Sequence, residues 1–391
     1  MYTFVTLQGY LGVNLSDSTL ILLAAGEATR FRKPVKKQWL RMGTRPLWLT
    51  VLERFREMRL FKELVVVGHA DELQYMKRHV DDRKVRFVAG GASRQASLAN
   101  ALEGVGTSLV LVSDVARPCV DKAVCKTLFA AVEEADCAVP ALPVPDTVWY
   151  EGRPIDRKEL LRIQTPQLSR TEKLREALAQ GREFTDESSA IHALGGRVAF
   201  VGGDDSLQKI TFGPETSLLP CLTPPDTAAR FTGTGFDVHA FEEGKPMKLG
   251  GVAIDVPYGF KAHSDGDVAI HALIDALLGA AGMGDIGELF PDTEAAWAGA
   301  DSLKLLRHVY HLLVRCGFEI VQADVTILAQ KPRVGPYKEK MRFTLAEALQ
   351  IPPERMNVKA TTTERLGFVG REEGVAVQAS ATLKFFDWTR A

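Results

Sequence analysis

Apolar positions in the first half of the chain come in short continuous runs, and longer amphipathic segments separate them. The continuous runs predict strands at residues 19–25, 64–68, 85–89, 109–113 and 138–144. The amphipathic segments predict helices near residues 47–58, 71–79, 93–103 and 121–134. Continuously apolar strands are typical of a parallel sheet that helices cover on both faces. We therefore expect an α/β domain with a Rossmann-like, mostly parallel sheet, whose ligands bind beyond the carboxyl ends of the strands.

The pattern changes at residues 213–230, where a stretch rich in proline, serine and threonine predicts a linker. Beyond it, strands are predicted at residues 251–256, 319–329, 356–361 and 374–385, and helices near residues 267–281, 302–315 and 340–350. This order predicts an α+β domain, in which helices pack on one face of a sheet. The predicted divisions are an N-terminal extension at 1–18, a first domain at 19–212, the linker at 213–230 and a second domain at 231–391.

The composition is that of an ordinary globular protein, with 46% hydrophobic and 25% charged residues in a chain of 391. Its 48 basic and 49 acidic residues give a formal net charge of -1, which excludes a global field that favours nucleic acid or an anionic membrane. No apolar run approaches the roughly 18 residues of a membrane span, and the start lacks a signal-peptide pattern. The five cysteines form no CxxC pair, so we expect small core residues in a reduced, cytoplasmic protein.

A basic loop follows the first predicted strand, in the stretch LAAGEATRFRKPVKKQW. Backbone N–H groups of such a loop can cradle phosphate oxygens, while basic side chains neutralise the charge. A solvated basic loop without a ligand is the alternative that the residues leave open. The Walker A pattern GxxxxGK[ST] does not occur in the chain. Asp114, at the end of the fourth predicted strand, is placed to hold Mg²⁺ on a nucleotide.

Further stretches of the first domain are GGASRQASL, SDVARP, PDTVW, DRKELLRIQTPQL and LQKIT, in this order. With the basic loop they resemble the cytidylyltransferase family that joins CTP to 2-C-methyl-D-erythritol 4-phosphate, over residues 19–212. The resemblance implies that Arg30 and Lys37 stabilise the transition state, and that Mg²⁺ or Mn²⁺ accompanies the nucleotide at Asp114. The substrate contacts that it implies are Gly26, Ser93, Ser97, Asp114, Arg117, Thr147, Arg157 and Lys209, the last two at the methylerythritol phosphate. The chain departs from the family at Ala28, where a second glycine is common, and at Ser113, where histidine is commoner.

Two motifs of the second domain carry metal-ligating side chains. In GTGFDVHAF, Asp237 and His239 alternate, so both side chains leave one face of a strand. In AHSDGDVAIH, His271 lies on a predicted helix. One aspartate and two histidines can form a three-ligand zinc shell with an open fourth position. Asp275, four residues further on, could orient His271, although a pair on the helix surface is the alternative.

Two longer stretches, AHSDGDVAIHALIDALLGAAGMGDIGELFPDT and NVKATTTERLGFVGREEGVAV, closely resemble the family of 2-C-methyl-D-erythritol 2,4-cyclodiphosphate synthases, and the likeness extends over residues 231–391. The resemblance implies a zinc-type ion on Asp237, His239 and His271, and a transition state steadied by His263 and Thr362. Around the ribose and methylerythritol parts it implies Asp285, Ile286, Gly287, Phe290, Pro291, Asp292, Thr293 and Glu294, and it implies a further substrate contact at Ser264. Around the cytidine diphosphate it implies Ala329, Gln330, Lys331, Pro332, Arg333, Val334, Gly335, Thr361, Thr363, Glu364, Phe368 and Arg371, with Glu364 also holding a second ion, Mg²⁺ or Mn²⁺.

The two resemblances together imply a bifunctional enzyme of isoprenoid-precursor synthesis. One half would release pyrophosphate from CTP, and the other would release CMP and close a cyclic diphosphate. The step between them needs a kinase, and the chain carries no loop of that kind, so docking of a separate kinase is a hypothesis. The cyclase family also implies trimers and the transferase family dimers, which a hexamer of this chain would satisfy.

Two alternatives stay open for the first domain. It would be a nucleotidyltransferase for another sugar phosphate, or an inactive scaffold that only organises the cyclase. The stretch DRKELLRIQTPQL and Lys209 argue against the first alternative. Pyrophosphate release measured with a panel of acceptors separates all three interpretations. Because the two domains have separate cores, we expect their sites to work independently.

Overall fold

The structure, a computed structural model, describes residues 17–262, 264–291 and 299–390. These residues form two compact units. The first contains residues 17–224 and 388–390, and the second is Pro225–Asp387. The division after Pro224 falls inside the stretch that the sequence predicts as a linker. Residues 213–224 therefore fold with the first unit, where Gly213–Leu218 form a 3₁₀ helix.

The first unit alternates strands with helices along most of its length. Its strands are β1 (Ser18–Leu23), β2 (Arg41–Met42), β3 (Arg45–Pro46), β4 (Glu63–Gly68), β5 (Val85–Ala89), β6 (Leu109–Asp114), β7 (Cys137–Pro143), β8 (Val148–Tyr150), β9 (Arg153–Ile155), β10 (Leu161–Ile163), β11 (Gln167–Arg170) and β12 (Val198–Gly202). Its helices are α1 (Leu47–Met58), α2 (Ala70–Lys77), α3 (Arg94–Leu102), α4 (Lys122–Ala131), α5 (Thr171–Leu178) and α6 (Glu187–Ala193).

One sheet organises this unit, in the order β10-β7-β11-β6-β1-β4-β5, with β12 also paired to β7. The neighbours β6, β1, β4 and β5 run parallel, whereas β11 and β10 run antiparallel to their neighbours. The five predicted strands correspond to β1, β4, β5, β6 and β7, so the expected α/β architecture is confirmed. Apolar residues such as Ile21, Val65 and Val110 are fully buried because helices cover the sheet.

The second unit begins with a long strand that the apolar pattern does not predict at its full length. Its strands are β13 (Phe231–Glu243), β14 (Met247–Leu249), β15 (Val252–Ile254), β16 (Tyr258–Phe260), β17 (Phe318–Leu328), β18 (Met356–Thr361) and β19 (Gly374–Phe385). Its helices are α7 (Val268–Ala281), α8 (Ile286–Leu289), α9 (Ser302–Arg315), α10 (Lys338–Ala348) and α11 (Gly367–Gly370). The main sheet has the order β16-β13-β19-β17-β18, and only β17 and β18 are parallel.

Helix α7 packs closely on β13 because two glycines leave room for its backbone. A Cβ atom at Gly235 would lie 2.0 Å from the carbonyl oxygen of Ala272, and one at Gly233 would lie 2.2 Å from that of Ala276. The other face of β13 carries exposed apolar side chains, Phe236 at 61% and Val238 at 38% exposure. The α+β architecture with helices on one face of the sheet, as predicted, is therefore confirmed.

The cysteines correct one expectation. Cys119 and Cys221 form a disulfide, with Cα atoms 5.6 Å apart and a sequence separation of 102, so the prediction of unpaired core cysteines is wrong for this pair. The fold creates the pairing by bringing residues 213–224 back to the segment after β6, which no local pattern reveals. Cys125, Cys137 and Cys316 are free and buried, as predicted. Among the described residues, no helix is both long and apolar enough to cross a membrane.

Candidate active sites

Segments that follow β1, β4, β5 and β6 line a cavity of about 590 Å³ at one edge of the first sheet. The predicted residues that it brings together are Gly26, Arg30, Lys37, Ser93, Ser97, Asp114 and Lys209. Arg117, Thr147 and Arg157 do not line it. The volume lies in the range of pockets that enclose small ligands, and the carboxyl ends of parallel strands are where such ligands bind.

The three predicted residues outside the cavity have other surroundings. Arg117 Nη1 donates to the carbonyl oxygen of Leu207, and burial lowers the pKa of its guanidinium. Thr147 and Arg157 are exposed, and they lie on either side of the hairpin β8–β9. The Arg157 guanidinium donates to the carbonyl oxygen of Pro145. This hairpin also exposes a large apolar side chain, Trp149, at 67%.

The loop after β1 has a strained backbone at the point where the chain departs from the cytidylyltransferase pattern. Ala28 adopts a left-handed conformation with φ of 55°, as does Arg32 with φ of 53°. This conformation costs an L-residue roughly 1–2 kcal/mol, and glycine adopts it without that cost. Between them, Thr29–Phe31 form a short 3₁₀ turn that presents the exposed Arg30 to the cavity.

Lys37 is half-buried at the wall of the cavity. Its Nζ donates to the carbonyl oxygen of Ile210 at 3.1 Å. Burial, and then the neighbouring charge of Lys209, lower the pKa of the Lys37 ammonium to about 8. A lysine that has lost its water shell and carries a lowered pKa is suited to bind an oxyanion strongly.

A buried ion-pair network beneath the loop holds the segment that carries Lys37, and the sequence motifs do not reveal it. Lys36 Nζ lies 2.8 Å from Glu72 Oε1 and 3.0 Å from Glu27 Oε1. Trp39 Nε1 donates to the other oxygen of Glu72 at 2.6 Å. Glu27 Oε1 also lies 2.9 Å from His69 Nε2. Lys36 and Glu72 are almost fully buried, so each depends on the other for its charge compensation.

Asp114 is buried at the end of β6 between two cations. Its Oδ1 accepts from Arg94 Nε at 3.2 Å, and its Oδ2 accepts from Lys209 Nζ at 2.6 Å. Burial raises the pKa of this carboxyl, but the charges of Arg94 and Lys209 outweigh it and hold the pKa at about 2. Arg94 in turn makes a two-pronged pair with the buried Glu187. The pairing of Arg94 with Glu187 across 93 residues has no local signal in the sequence.

Two serines shape the glycine-containing loop before α3. Ser93 caps α3 by accepting from the backbone N–H of Ala96 at 3.1 Å. The hydroxyl of Ser97 accepts from the backbone N–H of Gly91 at 3.0 Å. These bonds fix the loop at the wall of the cavity, where the start of α3 favours an anion.

Asp237, His239 and His271 form a compact cluster in the second unit. Asp237 Oδ2 lies 3.2 Å from His239 Nε2 and 3.3 Å from His271 Nδ1, and the three ligand atoms lie within 4.8 Å of one another. His239 Nδ1 donates to the carbonyl oxygen of Gly266 at 2.9 Å, so in the neutral imidazole Nε2 carries no proton. Asp237 Oδ2 is buried and has no hydrogen-bond donor. Acceptors that converge without protons between them are the donor set of a divalent metal ion.

The other carboxylates around α7 have structural partners. Asp267 caps α7 and accepts from the backbone N–H groups of Gly250, Gly251 and Ile270. Asp275 accepts from the backbone N–H of Ile286 at 2.8 Å. No described hydrogen bond joins Asp275 to His271, whose Nε2 lies beside the hydroxyls of Ser264 and Ser302, so the described contacts do not support the hypothesis that Asp275 orients His271. Burial raises the pKa of both carboxyl groups.

The residues implied in substrate contacts fall into two groups within the chain. Asp285, Ile286 and Gly287 lie at the start of α8, where Asp285 accepts from the N–H of Glu288. Phe290 and Pro291 follow, and the ring of Phe290 packs edge-on against His308 at 5.5 Å. His263, Asp292, Thr293 and Glu294 lie outside the described residues.

The second group joins the segment after β17 to the segment after β18. Ala329 donates its N–H to the carbonyl oxygen of Thr361, and the side chain of Gln330 accepts from the N–H of Arg365. Lys331 pairs with Glu372 at 2.9 Å. The remaining members of this group are Pro332, Arg333, Val334, Gly335, Thr362, Thr363, Glu364, Phe368 and Arg371.

Glu364 is exposed and has a left-handed backbone with φ of 51°. Its Oε1 accepts from the hydroxyl of Thr362 at 3.0 Å. Arg371 makes a two-pronged contact with Glu373. An exposed carboxylate beside a hydroxyl can bind an ion that a substrate brings with it, but the described contacts do not join it to the Asp237 cluster.

The fold and these two sites define a two-domain enzyme, with a nucleotide-sized anion site in one unit and a divalent-metal site in the other. Residues 18–218 match the family model described as 2-C-methyl-D-erythritol 4-phosphate cytidylyltransferase, and residues 231–384 match that of the YgbB family. The bifunctional enzyme IspD/IspF of Aliarcobacter butzleri is 51% identical over 374 residues, 96% of this chain and 99% of that one. The enzyme of the same name from Sulfurimonas denitrificans is 52% identical over 390 residues and the full length of both chains.

A solved structure described as the bifunctional IspDF from Campylobacter jejuni has a TM-score of 0.82 and 46% identity, and covers 96% of this chain and 100% of its own. The chain therefore belongs to the bifunctional IspD/IspF family. It carries a cytidylyltransferase and a cyclodiphosphate synthase of isoprenoid biosynthesis, as the sequence analysis predicts. The family binds a divalent metal, and the described residues contain a cluster suited to one.

Proposed function

We propose that the cavity of the first unit is where the phosphate of 2-C-methyl-D-erythritol 4-phosphate attacks the α-phosphorus of CTP. A bond forms between the acceptor oxygen and the α-phosphorus, and the bond to the β-phosphate oxygen breaks, so pyrophosphate leaves with the electron pair. The acceptor oxygen is already ionised, and no general base is needed. The observation that carries this proposal is the convergence of Arg30, Lys37 and Lys209 on one cavity.

Catalysis in this site is then a matter of positioning and cationic stabilisation. Arg30 and Lys37 hold the negative charge that spreads over the phosphates in the transition state. Gly26, Ser93 and Ser97 shape the loops whose N–H groups face the triphosphate. Asp114 is the proposed ligand of Mg²⁺ or Mn²⁺, and its low pKa keeps it ionised for that role. Lys209 then leaves Asp114 for the acceptor phosphate, while Arg117 supports the wall from behind.

Thr147 and Arg157 complete this site from a second copy of the chain in our proposal. Both are exposed beside the hairpin β8–β9, and its Trp149 offers apolar surface for contact. We also propose that cyclase units associate as trimers through the uncovered face of the second sheet, where Phe236 and Val238 are exposed. A hexamer would satisfy both contacts.

In the second unit we assign Asp237, His239 and His271 to a divalent ion, with Zn²⁺ as the proposed ion. When bound, the ion supplies Lewis acidity and alignment at the diphosphate. The substrate 2-phosphate attacks its own β-phosphorus, the bond to the CMP oxygen breaks, and an eight-membered cyclic diphosphate forms. We assign His263 and Thr362 to stabilising the pentacoordinate phosphorus. Ser264 contacts the substrate beside the ion.

The remaining substrate contacts keep the roles that the family implies. Asp285, Ile286, Gly287, Phe290, Pro291, Asp292, Thr293 and Glu294 surround the ribose and methylerythritol. The segment 329–335, with Thr361, Thr363, Phe368 and Arg371, surrounds the cytidine diphosphate. Glu364 is the proposed ligand of a second ion, Mg²⁺ or Mn²⁺. Because no described hydrogen bond or ion pair joins this group to the Asp237 cluster, we propose that one active site combines groups from two neighbouring copies.

The test is pyrophosphate release from CTP and Mg²⁺ with and without 2-C-methyl-D-erythritol 4-phosphate. We expect release that depends on this acceptor and is lost in Lys37→Ala, while the same variant still forms CMP from the cyclase substrate. No release with any acceptor would reduce the first unit to a scaffold, and release with another sugar phosphate would change its substrate. We further propose that the two sites work independently in the cytoplasm, where CTP is available, and that a separate kinase acts between them.

A further inference from the structure

His271 can serve as a metal ligand through Nδ1 only when that nitrogen carries no proton. A neutral imidazole has one N–H, and which nitrogen holds it depends on the hydrogen bond that the other side of the ring makes. For His239 the carbonyl oxygen of Gly266 places the proton on Nδ1, because a carbonyl oxygen can only accept a hydrogen bond. For His271 the neighbours of Nε2 are two hydroxyls, which can each accept or donate. The other hydrogen-bond partners of these two hydroxyls determine which of them accepts from His271.

Ser264 Oγ and Ser302 Oγ each lie 3.1 Å from His271 Nε2. A hydroxyl has a single proton, so the partner of that proton determines what the oxygen offers to a third group. The hydroxyl of Ser302 donates to Asp265 Oδ1, and a carboxylate can only accept. Ser302 therefore presents a lone pair to His271, which favours the imidazole proton on Nε2. Nδ1 is then bare and faces Asp237.

Ser264 lacks such a constraint. Its oxygen accepts from the backbone N–H of Gly266 at 3.2 Å, which leaves its own proton available to turn toward His271. A proton donated from Ser264 to Nε2 would favour the opposite tautomer, in which Nδ1–H points at the metal position. Of two hydroxyls at equal distance from the same nitrogen, only Ser302 enforces the metal-binding form.

The acceptor of the Ser302 proton is itself fixed. Asp265 Oδ2 pairs with Lys248 Nζ at 3.1 Å, and Oδ1 also accepts from the backbone N–H of Ser302 at 3.3 Å. Ser302 is the first residue of α9 and has no exposed surface, and Asp301 caps the helix before it. A series of hydrogen bonds thus leads from the protein surface to the imidazole ring, through Lys248, Asp265, Ser302 and His271. In this series each group determines which atom of the next one donates.

We propose that Ser302, oriented by Asp265, is a positioning residue that holds His271 in the Nε2–H tautomer and so raises the metal affinity of the Asp237–His239–His271 cluster. This inference rests on the proposed metal role of that cluster. Groups that orient a metal-ligating histidine typically change metal affinity 10- to 100-fold when they are removed. Ser302→Ala is expected to weaken Zn²⁺ binding by a factor in that range, and Asp265→Asn by a smaller factor.

The experiment measures Zn²⁺ affinity of the metal-free full chain by competition with a chromophoric chelator. The matched control is Ser264→Ala, which removes the hydroxyl at the same distance and should leave Zn²⁺ affinity within about twofold, since Ser302 still directs the ring. Equal losses in Ser264→Ala and Ser302→Ala would overturn the proposal, as would no loss in Ser302→Ala. His271→Ala is measured in parallel. If it also leaves affinity unchanged, the metal assignment itself fails rather than the role of Ser302.

A second measurement determines the tautomer of His271 in the unsubstituted protein. Nitrogen-15 spectra of histidine-labelled, metal-free protein distinguish protonated from bare ring nitrogens. We expect His271, assigned by its absence in His271→Ala, to show a protonated Nε2 and a bare Nδ1. The opposite pattern in the unsubstituted protein would overturn the proposal directly.

Discussion

The buried pair of Lys36 and Glu72 is predicted to hold the catalytic loop of the transferase. Their charged atoms lie 2.8 Å apart, with side-chain exposures of 4% and 1%. At this distance the attraction is about 6 kcal/mol for an effective dielectric constant of about 20, and the desolvation of both ions opposes it. Removing one member of such a pair costs about 3–5 kcal/mol, because the other is left buried with its charge.

Glu72→Gln is the sharpest perturbation of this pair. The amide keeps the shape but has one acceptor oxygen; when this oxygen accepts from Trp39 Nε1, the NH₂ group faces Lys36, so the charge and the contact with Lys36 are both lost. Glu27, half exposed, remains 3.0 Å from Lys36 and compensates in part, which places the expected loss near the lower end, about 3 kcal/mol of the free energy of unfolding. The double variant Lys36→Met/Glu72→Gln leaves no unpaired charge and should recover at least half of the loss.

Urea denaturation followed by tryptophan fluorescence measures the loss in the free energy of unfolding of the first unit. Four of the five tryptophans belong to that unit, at positions 39, 48, 149 and 388. Because Lys37 adjoins Lys36, Glu72→Gln should also raise the KM for CTP, whereas CMP formation by the second unit should not change. A Glu72→Gln protein within about 1 kcal/mol of the unsubstituted one, or a double variant no more stable than the single, would refute this account of the pair.

Three further changes test other parts of the structure. The charged form of Lys37 binds phosphate and its pKa is about 8, so kcat/KM for CTP should fall as pH rises through about 8. Lys37→Arg should move that fall to higher pH, and an unchanged pH profile would contradict the role of this charge. Ala28→Gly removes the strain of the left-handed backbone at φ of 55° and should raise the free energy of unfolding by up to about 1 kcal/mol in the same urea assay, reduced by the greater chain entropy of glycine. A lower free energy of unfolding would contradict the strain. Gly235→Ala places a Cβ 2.0 Å from the backbone of α7 and should destabilise the second unit by about 1–3 kcal/mol and weaken Zn²⁺ binding. Gly279→Ala, whose Cβ would meet its nearest atoms at 4.0 Å, is the comparison for the close contact.

The sequence predicts the sheet of the first unit well because burial on both faces leaves a continuous apolar signal. Ile21, Val65 and Val110 lie in such runs and are fully buried. The same logic fails for β13, whose open face mixes threonine, phenylalanine and valine and whose covered face contains glycine. Its length comes from pairing with β19 along ten positions, a tertiary property that periodicity does not carry.

In the candidate sites, too, the sequence predicts local features and misses those that depend on tertiary packing. Alternation predicts that Asp237 and His239 share a face of β13, and the structure bears this out because period two is a local property of any strand. The pairs Lys36–Glu72 and Asp114–Arg94 depend on which elements pack together, so residue types alone do not reveal them. The Cys119–Cys221 disulfide is missed for the same reason.

Four aspartates, at positions 237, 265, 267 and 275, lie on or near the apolar helix α7. An unpaired buried carboxylate is costly, so each must have a donor or a cation. Asp267 has three backbone N–H groups, Asp275 has one from α8, and Asp265 has Ser302 and Lys248. Asp237 alone in this set keeps a buried oxygen without a donor, and the two imidazoles beside it point bare nitrogens at the same place when their outer nitrogens are protonated. The satisfied carboxylates are therefore the scaffold that makes the one unsatisfied position possible, and a divalent cation is the partner that would satisfy it.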